Sequence, residues 1–189
     1  MIDIKLKGVD KALERLTTIP KGVQKAANTA INRTAISARA ISSREIVKHY
    51  NVKVTDVKRT MIVKRSSRKS LEAEIISKGG VIALSKYKVT PKVVQHKGNK
   101  NKPLRVAVKK GSGRKIIRGA FMAQFKSGHL GVVRRRGEKR FPVQELYGPS
   151  IPQMFKNEAV INSVKNLVEA RLQKEFNHEA MRVIGGDKK

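Results

Sequence analysis

The apolar positions of this chain recur first at helical spacing, then in alternation, then at helical spacing again. From Val23 to about Lys48 neither Pro nor Gly interrupts the sequence, and Val23, Ala26, Ala27, Ala30, Ile31, Thr34, Ala35, Ala38 and Ile41 return every three or four residues. The spacing predicts one helix about 39 Å long at ~1.5 Å per residue. Its small residues let a neighbour approach closely, and Arg33, Arg39 and Arg44 mark its polar side. Upstream, Gly8 to Ile19 reads as a shorter amphipathic helix with Asp10 as its cap and Val9, Leu13 and Leu16 on one side. Pro20 suits the start of the next element.

Beyond Tyr50-Asn51 the pattern changes. Thr55 and Asp56 can begin a short helical turn reaching Thr60. Met61–Arg65 and Leu71–Ile76 flank a polar link at Ser66–Ser70, and apolar residues at 71, 73 and 75 alternate, which predicts a two-stranded hairpin. Gly79-Gly80 then turns the chain into a strand over Val81–Leu84. Leu104–Val108 is a further strand, with Ile116–Phe125 as its partner across Gly111-Ser112-Gly113, and Val132-Val133 continues the pattern. The stretch from 86 to 118 is rich in Lys, Gly and Val and predicts a long basic loop around Asn99 and Asn101. Ser150 caps a final helix with Pro152 in its first turn. Val160, Ile161, Val164, Leu167, Val168, Leu172 and Phe176 line that helix, which ends near Gly185-Gly186.

The expected fold class is therefore α+β in a single domain over 1–189. It has a helical N-terminal part (1–60), a basic β-rich part (61–150) and a C-terminal helix (151–189). No internal repeat is visible.

Composition restricts the chemistry. Hydrophobic residues make up 39% and aromatics only 4%, with no Trp, so the core must be aliphatic. The absence of Cys removes disulfides, thiolate metal sites and cysteine nucleophiles, and is compatible with assembly in a reducing cytoplasm. Met1-Ile2-Asp3-Ile4-Lys5 leads into no long apolar run, so no secretory signal is expected. No run of ~18 apolar residues occurs, so no membrane span is expected either.

Charge changes the picture most. Forty-three Lys and Arg against fourteen Asp and Glu leave a net +29. Ordinary domains carry roughly 2 to 8 in magnitude. The balance is +8 over residues 1–60, +19 over 61–150 and +2 over 151–189. Between Glu74 and Glu138 there is no acid at all, but seventeen bases. Such a tract expects a polyanion, whereas the near-neutral end expects protein. The residues proposed to face nucleic acid are Lys97, Lys100, Lys102, Arg105, Lys109, Lys110, Arg114, Lys115, Arg118 and the run Arg134-Arg135-Arg136. That run reads equally well as a contact for DNA or an acidic neighbour and as a solvated strand end.

Catalytic groups do not assemble in the sequence. His49, His96, His129 and His178 are scattered, with no second His or carboxylate at metal-ligand spacing, so no metal or cofactor is expected. Glu72 and Glu74 alternate with apolar residues and face solvent together. Gly111-Ser112-Gly113-Arg114-Lys115 lacks the spacing of a nucleotide-binding loop. Only Tyr87, Phe121 and Phe125 interleave the basic tract, too few for a single-strand stacking platform. Sequence-blind contact with a duplex fits better.

Four strings carry more than composition: Asn32-Arg33-Thr34-Ala35, Arg118-Gly119-Ala120-Phe121-Met122-Ala123, Val132-Val133-Arg134-Arg135, and Leu146-Tyr147-Gly148-Pro149-Ser150-Ile151-Pro152-Gln153-Met154. In order and spacing they resemble the phage minor tail protein Z family, over nearly the whole chain. The resemblance implies a non-enzymatic virion protein that completes the head-proximal end of a phage tail. It also implies a ring, usually taken as six-fold, and a small antiparallel sheet flanked by a long N-terminal helix and a C-terminal helix. The partners implied are further copies of this chain, tail-terminator, tail-tube or head-connector proteins, and genomic duplex DNA. Tyr147, Gly148, Pro149, Ile151, Met154 and Phe155 are the interface candidates. Within them, Tyr147–Ser150 reads as a rigid turn, with Gly148 lending latitude and Pro149 fixing φ. A cellular nucleic-acid-binding protein of ribosomal or nucleoid type would share the basicity but not these strings. A nuclease would need acidic metal ligands, and residues 75–137 contain none.

Overall fold

In the computed structural model, which describes residues 21–94 and 103–186, the first long helix is unbroken: α1, Gly22–His49. The proposed helix over Gly8–Ile19 and the loop around Asn99 and Asn101 lie outside the described residues. A short α2 (Val54–Arg59) follows. The C-terminal region forms two helices, α3 (Ile151–Phe155) and α4 (Glu158–Gly186), where the apolar spacing predicts one. The break has a local cause: the Asn157 side chain accepts from the Ala159 N–H at 3.1 Å and caps the second helix.

The long helices pack antiparallel. Ser163, early in α4, bonds Glu45 near the end of α1, while Arg33 reaches Glu175 and Glu179 further along α4. Ala26, Ala27 and Ala30 leave the space that Phe176 fills, 1% exposed, beside Ala180. The larger core joins the other ends of these helices to the strands through Ile46, Tyr50, Met61, Leu104, Val132, Ile151, Met154 and Val160. Burial of each large side chain there is worth roughly 1.5–3 kcal/mol.

The strands form four small antiparallel sheets. β1 (Met61–Lys64) pairs with β2 (Glu74–Ser77), with Val63 opposite Ile75. This is the predicted hairpin, although Leu71 and Ala73 stay outside its second strand. β3 (Ile82–Ala83) is followed by β4 (Lys88–Thr90), β5 (Arg105–Ala107) and β6 (Lys115–Ile116), and the last three form one sheet. β7 (Ala120–Gln124), β8 (Leu130–Arg135) and β9 (Val143–Glu145) form another.

The expected strand over Ile116–Phe125 is divided: β6 pairs with β5 and β7 with β8. Gly119, at φ +72°, makes the turn that separates them. Finally β10 (Tyr147–Gly148) crosses back to β3, so the stretch read as a rigid turn begins as a strand. No described helix is long and apolar enough to cross a membrane.

Candidate nucleic-acid interface

Between Lys78 and Arg136 the structure describes fourteen Lys and Arg, and all fourteen are exposed. Among the described residues none of them forms an ion pair. The helices behave differently. Arg33 and Arg171 meet Glu175, and Arg33, Arg182 and His178 meet the fully buried Glu179. Glu175 and Glu179 thus tie α4 to α1 through Arg33, and the fourteen bases of the tract have no carboxylate partner.

The structure sorts the nucleic-acid candidates into two groups. Lys109, Lys110, Arg114 and Lys115 belong to the β5–β6 hairpin, which rests against the end of α1. There the Lys110 N–H donates to the His49 carbonyl at 2.8 Å, and the Asn51 N–H to that of Val108 at 2.9 Å. Arg118 instead leaves the other end of β6 and adjoins the run Arg134-Arg135-Arg136. Ala120 pairs with Arg134, and the side chain of Arg134 passes beside Gly119. Arg135 lies 5.6 Å from the centre of the Phe121 ring, held by cation–π attraction. Arg105 sits on β5 opposite Thr90 and Ile116, between the groups. Lys97, Lys100 and Lys102 lie outside the described residues.

The interface candidates divide as well. Ile151 and Met154 are buried in the chain's own core, at 1% and 0% exposure, and Phe155 packs partly against it. Tyr147 is exposed; Gly148 and Pro149 are half-buried. Gly148 does not adopt a left-handed conformation. Its hydrogen is needed for space: a Cβ there would stand 2.7 Å from Cε2 of Tyr87. The Tyr87 hydroxyl donates to the Pro149 carbonyl at 2.8 Å, and burial pushes its pKa well above the ordinary phenol value. Ser150 and Gln153 complete a reciprocal cap on α3.

One grouping could not be read from spacing. The β8–β9 pairing carries Glu145 to His129, whose Nε2 lies 2.8 Å from Oε1. The Tyr147 hydroxyl donates to Oε2 at 2.9 Å, and this bond raises the Tyr147 pKa. Asp56, Arg59 and Lys86 face the same open groove of about 490 Å³. His129 and Tyr147 each stand out in the sequence, but nothing there joins them, since the Glu145 carboxylate reaches His129 from another strand. Among the described residues no group of three or more His, Cys, Asp or Glu is placed to hold a metal ion.

Unneutralised cations around small sheets, beside an ion-paired helical hairpin, define a basic α+β protein. The chain belongs to the prophage minor tail protein Z family, whose description matches residues 6–184. It is a structural protein of phage tails. No curated protein and no solved structure matches the chain.

Proposed function

We propose that this protein completes the head-proximal end of a phage tail as a ring, of six subunits on the family pattern, and helps join tail to head. Its exposed sheet cations contact the genomic duplex without reading sequence. Its neighbours are other copies and tail-terminator, tail-tube or head-connector proteins, met first in the host cytoplasm and then in the virion. One observation carries the DNA contact: fourteen described bases stand exposed without an ion-pair partner, while Glu45, Glu175 and Glu179 of the long helices are paired. Cations left in this state are neutralised by a partner, and phosphates are the partner whose contacts need no sequence. Tyr147, exposed beside the Pro149 turn, is the best placed of the interface candidates to meet a neighbour.

The test replaces Lys109, Lys110, Arg114 and Lys115 together with Gln. Duplex binding should weaken and lose salt dependence, by about 0.9 in log–log slope for each phosphate contact removed. Circular dichroism and the mass of the assembled ring should not change. Equal binding by the native and substituted chains at low salt would overturn the contact. A chain that stays monomeric beside its tail partners would overturn the ring.

A further inference from the structure

The hairpin bearing Lys109 and Lys110 is fastened to the helical part of the chain more firmly than a loop contact requires. The two backbone bonds at His49 and Asn51 make Tyr50 and Lys109 partners in a β-bridge. The Asn51 side chain donates to the carbonyls of Ala107 at 3.0 Å and Lys109 at 3.4 Å. The hairpin cations are thereby held against a segment from outside the acid-free tract that carries Lys48, His49 and Lys53, all exposed.

Two of these have local reasons to be there. Lys48 and His49 occupy the last turn of α1, where the helix dipole favours positive charge, and Lys48 pairs with Glu45 at 2.6 Å. Lys53 has no such reason. It lies past the helix, two residues beyond Asn51, and immediately before the first turn of α2, where a cation gains nothing from the dipole. Among the described residues it forms no ion pair. Backbone bonds therefore hold Lys109 and Lys110 against a segment that continues, two residues past Asn51, into Lys53.

We propose that Lys53, with Lys109 and Lys110, forms a corner that binds the phosphate backbone of duplex DNA. The corner extends the DNA-contacting surface from the sheets onto the junction of α1 and α2. Asn51 is its positioning residue, since it fixes the hairpin without carrying charge. This inference rests on the reading of DNA contact above.

The experiment compares Lys53→Gln with Lys25→Gln in the full chain. Lys25 is also exposed, near the opposite end of α1. At ~1.5 Å per residue it stands roughly 35 Å from Lys48, well beyond the screening length of about 10 Å at 0.1 M salt. Binding to a short duplex of mixed sequence is titrated against salt. Lys53→Gln should lower the log–log slope by about 0.9, Lys25→Gln should leave it unchanged, and Lys53→Arg should restore it. All three should melt as the native chain does. Equal losses from Lys53→Gln and Lys25→Gln would overturn the corner, because net charge alone would then account for binding. No loss from Lys53→Gln, where the four-residue hairpin substitution does lose binding, would overturn the corner and leave the sheet contact standing. No loss from any of them would remove both.

Discussion

At the scale of single residues, the strings that mark the family are positions where one side chain meets several neighbours. Asn32 exchanges two hydrogen bonds with the backbone of Ser66, at 2.9 and 3.2 Å, and so ties the β1–β2 loop to α1. Arg33, next to it, turns the other way to Glu175 and Glu179, and Thr34 and Ala35 are buried. The sequence shows that position 33 is polar, but not that it meets two carboxylates some 140 residues away. Gly148 makes the same point. A glycine before proline suggests a turn, yet the demand on it is the ring of Tyr87. Gly148→Ala should push that ring aside, weaken the bond to Pro149 and cost about 1–3 kcal/mol, as overpacking does. Urea denaturation measures it, and unchanged stability would mean that Tyr87 has room to move.

Among elements, the helices were far more legible than the strands. A 28-residue helix repeats its pattern many times, so α1 was located within a residue at either end. β3 and β6, two residues each, overlap longer stretches that the sequence marks as strands. β4, β9 and β10, of two or three residues, lie in no such stretch, and alternation does not register there. Between the long helices, Glu45 supplies a pH-sensitive tie. Burial pushes its carboxyl up, but hydrogen bonds from Lys48 and Ser163, with the charges of Lys48 and His49, outweigh burial and hold it below the usual carboxylate range. A group with a lowered folded-state pKa adds stability above its unfolded value and loses it as pH falls through the folded one. Glu45→Gln should therefore lower the melting temperature at pH 7. The gap from the native chain should close on acidification past the ordinary carboxylate range. A gap independent of pH would show that the ionised carboxylate contributes nothing.

For the whole molecule, charge is the governing term. A net +29 on 189 residues opposes compactness through self-repulsion, most of all in the acid-free tract between Glu74 and Glu138. Raising sodium chloride from low to moderate concentration should raise the melting temperature of the native chain. The chain with four hairpin Gln substitutions should gain less, since it starts with less repulsion. A melting temperature that falls with salt would instead mean that the helix ion pairs dominate stability.

The long helices, the aliphatic core, the charge map and the family strings follow from the sequence alone. Each depends on a local period or on a sum over residues, and neither needs a partner to be known. The division of the cations into two groups, the return of β10 to β3, the meeting of His129 with Glu145 and the burial of Glu179 were decided by tertiary structure. Each depends on which distant segments exclude water together, and short strands or lone charges do not encode that choice locally.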